Sequence, residues 1–110
     1  MTMKNFQRKM EFLLRLDPGS DERAPGGAVT VALCGHWNHE GACRWPHFSR
    51  INSAGEGVHR LLIEFDSPKD EVKEVEERVE RGLRTGRLIG PDGRESRWHV
   101  VDTPKRGTLQ

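Results

Sequence analysis

The chain has 110 residues, of which 34% are hydrophobic, 32% charged and 6% aromatic, with a formal net charge of +1. Leu, Ile, Val and Phe together number 24, just above the level of about a fifth below which a highly charged chain stays disordered. These figures fit one small domain, residues 1–110, with a lean core; they exclude a collagen, a coiled coil and a bilayer-spanning protein, and a pI near 7.9 argues against a strongly basic nucleic-acid binder.

Residues 1–15 mix Lys4, Arg8, Lys9 and Glu11 among apolar residues. They hold no apolar h-region and no small-residue cleavage site, so the expected compartment is the cytoplasm. Met10, Phe12, Leu14 and Leu16 alternate, which favours a strand over the helical face that Phe6, Met10, Leu13 and Leu14 would also make. Residues 17–27, rich in Pro, Gly and charge, read as a flexible loop. Residues 29–33 form a short β-prone run, and residues 34–57 read as a Cys/His/Trp loop.

Val58 to Phe65 reads as a strand, with Leu61, Ile63 and Phe65 on one face and Arg60, Leu62 and Glu64 on the other. A helix follows. Ser67 is a suitable N-cap, Pro68 suits the first helical position, and Asp70 completes a capping-box spacing. Val72, Val75, Val79 and Leu83 mark one narrow apolar stripe, and Gly86 suits the C′ position. Leu88 and Ile89, then Trp98, His99, Val100 and Val101, flank Gly90-Pro91-Asp92-Gly93, the signature of a hairpin turn. Residues 103–110 read as a frayed tail.

This order implies an α+β fold: a small single-layer, mostly antiparallel sheet of four to five strands with one main helix on one face. The other face, carrying Leu13, Leu62 and Val101, would be partly apolar. A second copy would cover it, making a homodimer.

The unusual residues are gathered. Residues 34–47 hold both cysteines, three of the five histidines and two of the three tryptophans. Thiolate and imidazole are the ligands zinc prefers. Cys34, His39, Cys43 and His47 would close a structural tetrahedron, with His36 a further candidate. His36, His39 and His47 alone would leave an open, catalytic position. The spacing matches no common zinc pattern, so residue type carries this reading. A disulfide between Cys34 and Cys43 is the competing covalent reading.

Trp37, Arg44, Trp45, Phe48 and Arg50 make the same segment a binding surface. Indole and guanidinium planes stack on bases, and Arg holds phosphate; equally, Trp37 and Trp45 would anchor the loop to the core. A cysteine activated by histidine is the third reading, and no local signature marks it. His59 and His99 fall on strands, where either would orient a ligand of the cluster or simply be hydrogen-bonded. The leading functional expectation is a zinc-binding interaction module for a small ligand or protein. Next comes a non-metal module for single-stranded nucleic acid or protein, with nucleic acid less favoured. A metal- or Cys-dependent enzyme is third.

Overall fold

The computed structural model describes residues 6–34, 45–102 and 105–108. The alternation of residues 8–16 does give a strand, β1 (Arg8–Leu16). It runs at the centre of an antiparallel sheet. On one side it pairs with β3 (Val58–Phe65), in the register Met10 with Ile63 and Leu14 with His59. β2 (His47–Gly55) pairs with the far side of β3 and forms the sheet edge. On the other side of β1, β5 (Glu95–Val100) pairs with its C-terminal end and β6 (Lys105–Thr108) with its N-terminal end. β4 (Arg87–Ile89) pairs with β5 and completes the order β2-β3-β1-β5-β4.

Two helices cover one face. α1 (Ala24–Cys34) joins β1 to β2, and α2 (Val72–Arg84), preceded by a 3₁₀ turn at Lys69–Glu71, joins β3 to the β4–β5 hairpin. α1 thus bridges two strands that flank a third, a split β-α-β unit, whereas α2 carries the chain from β3 past β1 and β5 to the edge strand β4. Inward residues of β1 (Met10, Phe12, Leu14) and β3 (Leu61, Ile63, Phe65) meet Ala28, Val29 and Leu33 of α1 and Val75, Val79 and Leu83 of α2 in one buried cluster with Trp45 and Trp98. The opposite face of the sheet has no layer over it among the described residues. No helix among the described residues is long and apolar enough to cross a membrane.

The α+β class, the central strands, the main helix and the hairpin agree with the sequence reading. Three segments do not. The loop expected at 17–27 holds over residues 17–23, but its last four residues and the β-prone run at 29–33 give way to α1. Pro25 lies in its first turn, where its missing N–H costs nothing, and Gly26 lets the helix approach β2, its position lying 2.9 Å (as a Cβ) from Ser49 Oγ. The expected 34–57 loop contains β2, whose single ladder to β3 overrides a polar composition. The expected frayed tail contains β6, which Arg106 ties to Glu76 and Glu80 of α2.

The helix start also differs. Ser67 makes no cap; its Oγ donates to the Pro68 carbonyl, and α2 begins after Glu71 without a side-chain cap. The C-terminal end is as expected. Gly86 has φ +69°, and its N–H and the Trp98 indole N–H both donate to Leu83 O, satisfying a carbonyl that a helix end leaves open.

Candidate functional site

The Cys/His/Trp segment is framed by α1 and β2. His36, Trp37, His39, Cys43 and Arg44 lie outside the described residues. Cys34, the last residue of α1, is disulfide-bonded; Cys43 is the chain's other cysteine. His47 turns inward from β2: its Nδ1 lies 3.1 Å from Trp45 O and its Nε2 3.3 Å from Thr30 Oγ1. Among the described residues no group of three or more His, Cys, Asp or Glu is placed to hold a metal ion.

Trp45 is 2% exposed. Its indole N–H donates to Glu71 Oε1 at 2.8 Å, and the Arg78 guanidinium lies 5.0 Å from its ring centroid. This is the core-anchor reading of Trp45; a ligand cannot stack on a ring already enclosed. Phe48 and Arg50 sit on the other side of β2. Phe48 is 51% exposed, with the Arg50 guanidinium 6.0 Å from its ring centroid. Trp45 therefore does not share a surface with Phe48 and Arg50.

His59 and His99 join neither. His59 pairs with Ser53, whereas His47 pairs with Phe65, so the two histidines are six residues apart along the ladder, about 20 Å. His59 Nδ1 is buried without a hydrogen-bond partner among the described residues, and its Nε2 lies 3.7 Å from Glu22. His99 pairs with Arg15 on the uncovered face and lies 3.6 Å from Asp17.

That uncovered face carries the second arrangement. Strand alternation sends every other residue outward, and each of five strands sends out one arginine: Arg50 on β2, Arg60 on β3, Arg15 on β1, Arg97 on β5 and Arg87 on β4. Arg50 lies opposite Leu62 and Arg60 opposite Asn52, so Arg50 and Arg60 are diagonal neighbours. Arg60 lies opposite Leu13 and Arg15 opposite Val58, again a diagonal. Arg15 faces His99, one diagonal from Arg97, and Arg97 faces Arg87 directly. Diagonal neighbours stand about 7–8 Å apart, so the five form one stripe across the whole sheet. Every one of them is exposed.

Carboxylates steady the stripe without closing it. Glu64 lies 3.6 Å from Arg50, Glu11 3.1 Å from Arg60, and Glu95 3.3 and 3.2 Å from Arg87 and Arg97. Arg15, in the middle, donates to the Glu56 carbonyl and has no carboxylate partner among the described residues. The exposed large apolar residues Phe48 and Ile89 lie on this same face, as does Val101, whose N–H donates to the Leu13 carbonyl beside inward-facing Val100.

Of these residues, the sequence reading singled out only Phe48 and Arg50. Arg15, Arg60 and Arg97 each stand between two inward-facing residues of a strand, which is the available signal. It becomes a stripe only once the register is known. No protein-family model matches the chain, and no curated protein or solved structure is detectably similar to it.

Proposed function

We propose that this protein is a non-catalytic binding module whose uncovered sheet face receives single-stranded nucleic acid. The observation that carries this reading is the arginine stripe, one guanidinium per strand in diagonal register. Guanidinium groups pair with phosphate through two parallel hydrogen bonds, and a row of them tracks a phosphate backbone. The acids on the face do not block this. Exposed ion pairs are each worth about 0–1 kcal/mol, so exchanging Glu11, Glu64 or Glu95 for phosphate costs little. Phe48, exposed at one end of the stripe, offers a ring on which an unpaired base stacks. A flat sheet presents no helix or ribbon to enter a duplex groove, which favours a single strand.

Fluorescence anisotropy with a labelled thymidine 20-mer at low salt tests this. Saturable binding is expected, with Arg15→Ala and Arg60→Ala each weakening it and lowering the salt slope by roughly one phosphate's share. Phe48→Ala should weaken binding by about 5-fold or more, with the slope unchanged. Absence of binding at about 100 µM protein, the weak end of non-specific affinity, would sink the proposal.

The zinc reading of Cys34, His39, Cys43 and His47 makes a different demand. It needs Cys34 as a thiolate, which a disulfide withholds. Elemental analysis of protein purified under reducing conditions checks it: one equivalent of zinc would support a metal module, and protein with both thiols free and no metal would end that reading.

A further inference from the structure

On the helix-covered side, the first turn of α1 and the β4–β5 turn frame a cleft of about 360 Å³. Its size falls at the small end of ligand pockets, about 300–1,000 Å³. Ala24, Leu88 and Pro91 form its apolar wall, and Arg23, Arg94, Asp21 and Asp92 its charged rim. Ser96 lines it too, and is the only buried polar residue among the described residues, at 3% exposure. Its Oγ accepts the Asp21 N–H at 2.9 Å, and its own proton has no acceptor among the described residues. A buried hydroxyl normally makes the bonds it can, so this proton points to an acceptor that the protein itself does not provide.

The rim is not uniform. Asp21 is committed to Arg23, accepting from its N–H, Nε and Nη2. Arg94 is held by one bond, from Nη2 to Gly19 O. Asp92 accepts only the Arg94 backbone N–H, through Oδ1, and has no ion pair among the described residues. The cleft therefore keeps spare donors at Ser96 and the two arginines, a spare carboxylate at Asp92, and an apolar wall between. We infer that this cleft binds a small zwitterion with an apolar body, the class of the aliphatic α-amino acids. The ligand carboxylate is received by Ser96 and the arginines, and its ammonium by Asp92. The cleft lies away from the arginine stripe, so neither proposal depends on the other.

The test is an NMR titration of the full chain with L-leucine, isovalerate and isoamylamine, which separate the two charges on one apolar body. Leucine should shift the amides of Ala24, Leu88 and Asp92 saturably, with a dissociation constant of about 1 mM or lower. Each single-charge analogue should bind about tenfold more weakly. Ser96→Ala should weaken leucine and isovalerate alike. Because it strands the Asp21 N–H and risks the fold, Asp92→Asn is the second variant: it keeps the Oδ1 acceptor, and should erase the advantage of leucine over isovalerate. No saturable shift at about 10 mM of any probe overturns the inference, as does an Asp92→Asn protein that still prefers leucine.

Discussion

Trp45 meets three constraints at once: an enclosed ring, an N–H donated to Glu71, and a guanidinium over its face. Truncating a buried aromatic costs about 3–5 kcal/mol, so Trp45→Ala should unfold much of the population of a small domain. Trp45→Phe should cost less, about 1–2 kcal/mol, through loss of the indole N–H bond to Glu71. Urea denaturation followed by circular dichroism distinguishes the two. Any loss of ligand binding in the alanine variant reports lost fold. Asp21 makes a pH-dependent contribution. The bonds from Arg23 lower its pKa from 3.8 to about 2. A depressed folded-state pKa stabilises above the unfolded value and is lost as pH falls through the folded one. The contribution of Asp21 is therefore present above about pH 4 and gone below about pH 2. Solvent screening at this largely exposed pair keeps the contribution small. Asp21→Asn should flatten the acid limb of a stability–pH curve between those values and leave the neutral region nearly unchanged.

Among the elements, the joint between α2 and the hairpin is the most tightly specified. A Cβ on Gly86 would lie 2.7 Å from Trp98 O, at a φ of +69°. Side chains pay about 1–3 kcal/mol in that backbone region, and here the clash is with backbone. Gly86→Ala should therefore lower stability by about 2–3 kcal/mol, read as a shift of the urea midpoint at constant slope. Gly86 was legible in the sequence because a helix stripe stopped just before it. The central strands and α2 were legible for a similar reason: Leu61, Ile63 and Phe65, or Val75, Val79 and Leu83, repeat at the period of the structure they adopt. α1 was not. Pro25, Gly26 and Gly27 look like breakers, and only the close approach of Gly26 to Ser49 on β2 makes a missing side chain useful there. β2 and β6 were hidden because an edge strand buries little; His47–Gly55 and Lys105–Thr108 are held by one ladder each, which composition does not reveal. The candidate site was the least legible part. Residue chemistry drew attention to 34–47, while the arginines that the fold aligns are scattered from residue 15 to residue 97.

At the scale of the molecule, charge is sorted by face. Outward strand positions among the described residues carry Lys9, Arg15, Arg50, Arg60, Arg87, Arg97 and Lys105 against Glu11, Glu64 and Glu95, although the whole chain is only +1. Near-neutral net charge thus conceals a basic sheet face and an acidic remainder. If all five stripe arginines displace counterions from a single strand, the logarithmic salt slope approaches about −3.5, and affinity should fall about 10²-fold between 50 and 200 mM salt. A slope near zero would place the ligand elsewhere. The same sorting opposes a homodimer through this face, since a second copy would set stripe against stripe and like charges across an interface are unfavourable.

β1 is the hub of the sheet, and its partners come from the middle and the far end of the chain: Arg8 pairs with Phe65 and Leu14 with Val100. During synthesis β1 emerges before the other strands of this sheet and its last partners follow much later. At about 5–20 residues per second, Leu14 waits roughly 4–17 s for Val100 to be made. Until β3 follows, roughly 2–11 s after them at that rate, Met10, Phe12 and Leu14 have no strand to pair with. The nascent chain must therefore tolerate an apolar strand without partners. Lys9, Glu11 and Arg15, interleaved with those residues, are what keep that strand from pairing with a neighbour's.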